Sequence, residues 1–395
     1  MNILVINCGS SSLKYQLIDS VSNEVKAKGI CERIKLDGTL THQSINAPKT
    51  TEEVLMPDHN TAVKLVLEKL CDPKSGAIKS LEEIDAIGHR VVHGGEKFAS
   101  SVLIDADIIK AIEECNELAP LHNPANLIGI AACKELMPDV PQVAVFDTAF
   151  HQTMPDYAYM YGLPYEYYEK YKVRRYGFHG TSHSFVSKRT AEIMNKDIKD
   201  TKIVVCHLGS GSSICAVEGG KSVDTTMGLT PLEGITMGTR SGNIDPAIID
   251  FLADKENKSI KEIMSVLNKE SGMLGLSCKS SDFRDLLKGI EEGDKKCKTA
   301  VNVFCYQASK FIGSYAAAMN GLDALVFTAG VGENNPGIRK NICERLGFMG
   351  IKIDDIPNNT RGEEIKISTE DSAIPVYVVP TNEELAIARE TVALL

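Results

Sequence analysis

The most constraining feature of this chain is a strand–turn–strand pattern that occurs twice. In Ile3-Leu4-Val5-Ile6-Asn7-Cys8-Gly9-Ser10-Ser11-Ser12-Leu13-Lys14-Tyr15-Gln16-Leu17-Ile18, an apolar run breaks at Gly9 and three serines, and an alternating run follows. Consecutive aliphatic residues suit a strand buried on both faces. The turn supplies backbone N–H groups, hydroxyls and a nearby lysine, which suit a phosphate or its metal. Two hundred positions later, Ile203-Val204-Val205-Cys206-His207-Leu208-Gly209-Ser210-Gly211-Ser212-Ser213 superposes without a gap. Gly9 falls on Gly209, Ser10 on Ser210 and Ser12 on Ser212, and Ile214-Cys215-Ala216-Val217 returns as a second strand. One Gly/Ser turn is a common surface loop. Two in the same register point to duplicated halves facing one nucleotide.

The length, 395 residues, exceeds what one core usually serves, so two domains are expected. With 43 basic against 53 acidic residues, the net charge of −10 argues against nucleic acid or an anionic membrane as partner. No apolar run is long enough to span a bilayer, and no basic segment precedes the first strand. The eleven cysteines are scattered without a C-x-x-C pair, several of them (Cys206, Cys215, Cys305) in apolar stretches. That usage fits a reducing cytoplasm and no structural zinc.

Along the chain, apolar runs alternate with amphipathic ones. A polar, strand-poor region is expected after the first hairpin, to about Pro57, then a helix with Ala62, Val63, Val66, Leu67 and Leu70 on one face. A strand runs from about Asp85 into the glycine-rich His93-Gly94-Gly95. Two helices follow, one carrying Ile108, Ile109 and Ile112, the other capped at Asn123-Pro124. Val143–Phe146 is a buried strand ending on Asp147. Eight of the twelve tyrosines lie between Tyr157 and Tyr176, which reads as a domain junction, a subunit interface or an irregular packed segment. The second half repeats the alternation. It has a helix at Asp245-Pro246, one through Ile260 to Leu267, a long one from about Lys296 to Asn320, and a strand at Ala324–Phe327 leading into Gly330. Strands near 349–353 and 374–379 and a helix from about Glu383 close the chain. This alternation indicates α/β architecture.

Three glycine-rich turns, around Gly9, Gly209 and Gly330, follow buried strands. None is a Walker A loop: the nearest, Gly220-Lys221-Ser222, has Cys215 where the first glycine belongs. The G-x-G at Gly330 is too little for a dinucleotide fingerprint. Arg90 at a strand end and Arg240 in Met237-Gly238-Thr239-Arg240-Ser241-Gly242 sit where helical ion pairs are out of reach, which suits them to grip anions. Asp147 ends an apolar strand, where ligands bind and where turn aspartates are equally at home. His179 and His183 are four apart, but Gly180 stands where a zinc-protease glutamate belongs and Thr181-Ser182 looks like a helix cap. Contact of His179 with an anion is favoured over metal ligation.

These blocks resemble the acetate kinase family. Asn7-Cys8-Gly9-Ser10-Ser11-Ser12-Leu13-Lys14 is similar to its first signature, and His207-Leu208-Gly209-Ser210-Gly211-Ser212-Ser213 through Arg240 to its second. His89–Gly95, Phe146–His151, Phe178–His183 and Pro380–Glu384 match in order along the whole chain. The family lies within the sugar kinase, heat-shock-70 and actin superfamily. The resemblance therefore implies duplicated ribonuclease-H-like (actin-like ATPase) domains with the active-site cleft between them. Residues 1–148 plus 385–395 would form the first, with the C-terminal helix returning to it, and 149–384 the second, carrying most nucleotide contacts.

The implied reaction is reversible phosphoryl transfer between ATP and acetate, giving ADP and acetyl phosphate, with Mg²⁺ (or Mn²⁺) as cofactor. By the same resemblance, Asn7 and Glu383 fall on the metal site and Lys14 on the phosphates. The nucleotide contacts fall on His207, Leu208, Gly209, Ser210 and Gly211, on Asp282, Phe283 and Arg284, and on Gly330, Val331, Gly332, Glu333 and Asn334. Arg90 would bind the carboxylate. His179 and Arg240 would stabilise the transferring phosphoryl group, and Val92, Leu121, Phe178 and Pro231 would hold the acetate methyl. Asp147 matches the family's proton donor or acceptor. Since a carboxylic acid is already ionised near neutral pH, holding the metal's waters or orienting an arginine is an equal expectation. Ser210 replaces the family's usual asparagine, so nucleotide contact should be weaker or shifted. A cytoplasmic homodimer is expected. The alternatives are a propionate-preferring relative and, from another class, a non-catalytic nucleotide- or carboxylate-binding module.

Overall fold

The computed structural model describes residues 1–120 and 122–395. The chain forms two compact units, Met1–Gln152 with Asn382–Leu395, and Thr153–Thr381. The first holds an eight-stranded sheet: β1 (Asn2–Cys8), β2 (Ser12–Asp19), β3 (Val25–Glu32), β4 (Thr39–Ser44), β5 (Ala47–Glu53), β6 (Ala86–Val91), β7 (Val102–Leu103) and β8 (Gln142–Phe146), ordered β5-β4-β3-β2-β1-β6-β8-β7. The second holds β9 (Lys202–Leu208), β10 (Ser212–Glu218), β11 (Lys221–Thr225), β12 (Ala324–Thr328), β13 (Ile365–Lys366) and β14 (Val376–Val378), ordered β11-β10-β9-β12-β14-β13. The core β3-β2-β1-β6-β8 thus recurs as β11-β10-β9-β12-β14. In each, the first strand pairs antiparallel with its hairpin partner and parallel with the next crossover strand. This is the duplicated α/β plan.

Strand parity decides what faces what. In β1, Leu4 and Ile6 pack beneath the helices His59–Leu70 and Asn123–Leu136, whereas Ile3 and Val5 pack with Ala86, Val143, Val145, Ile387 and Ala388 on the face covered by the helix Glu383–Val392. The close approach of that helix requires Gly88, where a Cβ would lie 2.5 Å from Thr391 Oγ1 and 2.7 Å from Ile387 Cγ2. In the second unit, Val204, Cys206 and Leu208 face the large core under the helix Lys295–Ala318, and the helix Gly180–Ile193 packs on β9 and β12.

Five expectations are corrected. The stretch after the first hairpin is not strand-poor but carries β3, β4 and β5. Its inward positions include His42 and Ser44, so the buried face does not read as apolar. The ungapped superposition of the two hairpins does not survive in the pairing. Cys8 pairs with Leu13 across four turn residues, but Leu208 pairs with Ser212 across three. Lys14, opposite Asn7, therefore corresponds in space to Ser213, opposite His207. Asn123 is not a cap. His122 holds that position, and the Asn123 side chain brackets His93 instead, accepting from its N–H and donating to its carbonyl. Thr181 and Ser182 lie inside the helix Gly180–Ile193, with His179 at the cap in a left-handed conformation (φ +57°). Near 349–353 there is a short 3-10 turn, Gly347–Met349, and one isolated bridge from Ile353 to Ser368.

Candidate active site

In the first unit, three parallel strands deliver polar residues to one sheet face at their C-terminal ends. Asn7 follows Val5 in parity, Arg90 follows Gly88, and Asp147 follows Val145. The carboxyl end of a parallel sheet is where α/β proteins bind ligands. Asp147 is buried and takes Arg90 in a fork, accepting from Nε at 3.0 Å and from Nη2 at 2.5 Å, while Arg90 Nη1 lies 3.4 Å from Asn7 Oδ1. Burial works against the guanidinium charge, but Asp147 and Glu383 outweigh it and hold Arg90 more firmly protonated than usual. Glu383 opens the covering helix and, with Val5, Asn7, Lys14, Arg90, Glu384 and Ile387, lines a small recess. Burial, together with Asp147 and Glu384, pushes its carboxyl up to about 7 against the pull of Arg90 and Lys14.

A crowd of oxygen donors with one carboxyl pushed toward protonation fits a hard divalent cation, which would relieve that push. Among the described residues no cluster of three or more His, Cys, Asp or Glu forms a closed metal cage. A Mg²⁺-type site is commonly completed by phosphates and water. Val92, next after the strand, is buried, and its N–H donates to Asn126 Oδ1 at 3.1 Å. Leu121 lies outside the described residues.

In the second unit, His207 and Ser213 form a cross-strand pair on the face covered by the helix Gly180–Ile193. That helix's first turn supplies Ser182 and His183. The His179 ring stacks on His207 with centroids 4.1 Å apart. Ser213 Oγ lies 2.9 Å from His179 Nδ1 and 2.7 Å from His183 Nε2, so the two histidines share a hydroxyl rather than aim at one ion. Ser182 Oγ joins His207 Nδ1 and Thr381 Oγ1, each at 2.8 Å. Gly211 leaves space at the centre: a Cβ there would stand 3.5 Å from His179 Nε2 and 3.6 Å from Arg240 Nη1. Among the described residues no carboxylate pairs with Arg240. Its Nη1 donates to Pro231 O at 3.2 Å, and burial lowers its proton affinity. The Arg240 loop is tied to the Gly/Ser turn by Gly238 N–H donating to Ser210 O at 3.0 Å. Ser210 is exposed at the tip of that turn, while Leu208 and Phe178 are buried.

Beyond β12, Ala329 takes a left-handed φ of +62° and the chain enters the short helix Ala329–Asn334, which contains Gly330, Val331 and Gly332. Glu333 Oε1 accepts from Ala329 N, Thr328 Oγ1 and Thr381 N, so its carboxylate braces this loop. Arg339, fully buried, donates to the carbonyls of Gly332, Glu333, Asn358 and Thr360, a brace the sequence did not signal. Asn334 Nδ2 donates to Gly330 O. Asp282 caps the helix Phe283–Glu291 and pairs with the exposed Arg284, while the Phe283 ring turns inward against Phe304. Sequence reasoning missed Asn126, read Asn123 and Ser182 as helix caps, and saw Ser213 only as part of the repeated turn.

The profile of the Acetokinase family matches residues 2–389. The chain is similar to the acetate kinase of Agathobacter rectalis, 63% identical over 396 residues with both chains covered in full. It is also similar to that of Lachnoclostridium phytofermentans, 60% identical with full coverage of both. Among solved structures, acetate kinase of Porphyromonas gingivalis superposes with a TM-score of 0.96 at 48% identity, covering 100% of this chain and 99% of that one. A propionate kinase from Francisella tularensis superposes at 0.94 and 44%, with full coverage of both.

Proposed function

Because this chain belongs to the acetokinase family, we propose that it is an acetate kinase, a phosphotransferase that moves the terminal phosphoryl group of ATP reversibly to acetate by direct in-line attack. The observation that carries this reading is identity of 60–63% along the full chain to relatives of that name. Acetate arrives ionised, since carboxylic acids of this kind titrate at about 4–5, so no residue has to remove a proton. Arg90 binds its carboxylate. The Asp147 fork, which occupies Nε and Nη2 while Nη1 meets Asn7 Oδ1, supports a positioning role for that aspartate. Val92, Leu121, Phe178 and Pro231 take the methyl group.

Lys14 meets the phosphates. His207, Leu208, Gly209, Ser210 and Gly211 hold the nucleotide together with Gly330, Val331, Gly332, Glu333 and Asn334. Asp282, Phe283 and Arg284 lie beside the adenosine, where Phe283 acts through its backbone because its ring is in the core. His179 and Arg240 donate to the equatorial phosphoryl oxygens as charge shifts between donor and acceptor. The absence of a carboxylate beside Arg240 among the described residues supports that role. The divalent cation, proposed as Mg²⁺ with Mn²⁺ as substitute, would be held by Asn7 and Glu383 and would neutralise phosphate charge.

The actin-like ATPase domains are proposed as 1–148 with 385–395, and 149–384. The two compact units, with changeovers at 152/153 and 381/382, support that division. No helix among the described residues is long and apolar enough to cross a membrane. A cytoplasmic homodimer is proposed, and the exposed Tyr157, Tyr165, Tyr167 and Tyr171 offer a half-wet surface for it.

One observation favours a second reading: the full-length likeness to a propionate kinase. An added methylene is worth only about 1–3 kcal/mol in an apolar pocket. ADP release from ATP and acetate tests the proposal. It should require a divalent cation, stop with EDTA and return with Mg²⁺ or Mn²⁺. ADP release that does not depend on acetate would contradict it.

A further inference from the structure

Ser213 is fully buried on β10, and its hydroxyl stands between two imidazoles, 2.9 Å from His179 Nδ1 and 2.7 Å from His183 Nε2. A hydroxyl has one proton to donate, so one ring nitrogen receives it and the other must bring its own. The arrangement is therefore a directed chain, and its direction decides which nitrogen of His179 carries a proton.

His179 Nε2 and Arg240 Nη1 both border the space left by Gly211. The Arg240 guanidinium across that space opposes a positive charge on the His179 ring. A neutral His179 can donate to a phosphoryl oxygen only from Nε2–H, and this requires a bare Nδ1.

We propose that Ser213 and His183 are positioning residues that fix the His179 tautomer. His183 Nε2–H donates to Ser213 Oγ, and Ser213 O–H donates to His179 Nδ1. The His179 proton then sits on Nε2, aimed into the Gly211 space beside Arg240. The register difference between the hairpins makes this possible. It puts a serine opposite His207 where the first unit has Lys14 opposite Asn7, and a lysine there could only donate and would add charge. This inference rests on the reading of His179 as a phosphoryl contact.

Two measurements test it. Imidazole ¹⁵N–¹H correlation spectra of the wild-type protein near neutral pH should show His179 neutral with Nε2 protonated. A neutral ring protonated at Nδ1, or an imidazolium, would overturn the inference without any variant having to fold. In steady-state kinetics, Ser213→Ala should lower kcat by about ten- to a hundredfold while leaving KM for acetate and ATP within about twofold. In the His179→Ala background, the same change should cost less than about twofold, because nothing remains to orient. An equal loss in both backgrounds would make Ser213 merely structural. If His179→Ala itself leaves kcat unchanged, the phosphoryl-contact reading fails. If His179→Ala is damaging and Ser213→Ala is silent, only the present inference fails.

Discussion

At the scale of single residues, the two units solve charge in opposite ways. Arg90 is forked by a buried carboxylate, which fixes its plane, while Arg240 donates to a carbonyl and a thioether and, among the described residues, has no carboxylate paired with it. Asp147→Asn should lower kcat/KM for acetate by about ten- to a hundredfold, the worth of a charge-assisted fork, with the half-saturating metal concentration unchanged. A tenfold shift in that concentration would show the carboxylate acting on the metal's waters instead. Arg90 and Asp147 were legible as candidates because each is a charged residue at the C-terminal end of a strand, Arg90 one residue before the end of β6 and Asp147 directly after β8. Ser213 and Asn126 were not: a serine in a Gly/Ser turn and an asparagine in a helix look like turn chemistry and surface. Their roles depend on crossing distances of thirty residues or more, Ser213 to His183 and Asn126 to Val92, that no local pattern encodes.

At the scale of elements, the helix Glu383–Val392 sets the position of Glu383, and it reaches the sheet only because Gly88 has no side chain. Gly88→Ala should cost about 1–3 kcal/mol of stability through overpacking and raise the metal concentration needed for activity. Thermal unfolding and a metal titration check both, and wild-type values in each would contradict the packing argument. On the same strand, His89 is buried with Nε2 2.7 Å from Gln142 Oε1, and burial pushes its pKa down to about 4.

A neutral buried histidine favours folding fully above about pH 6.5. As pH falls toward 4 the unfolded chain takes up the proton first, and about 3 kcal/mol is lost. The melting temperature should therefore fall between pH 7 and pH 5, and His89→Gln should fall less. Equal pH slopes would contradict this. The apolar strands β1, β8, β9 and β12 were legible as buried runs, and β6 as a strand running into a glycine-rich loop. β3 to β5 were not, because His42, hydrogen-bonded to Tyr15, and Ser44 occupy inward positions where an alternating apolar pattern would need aliphatics.

At the scale of the whole molecule, the repeat at a spacing of two hundred residues marks a shared five-strand plan. The one-residue difference between the two turns shows what sequence superposition conceals. The halves share the scaffold and differ at the strand ends beside the turn, with Asn7 opposite Lys14 in one and His207 opposite Ser213 in the other. The central claim is that this scaffold phosphorylates acetate. The most direct test incubates the protein with ATP, Mg²⁺ and hydroxylamine, comparing acetate, propionate and butyrate side by side. Acyl hydroxamate should form with the highest kcat/KM for acetate, and no hydroxamate from any acid would contradict acetate phosphorylation.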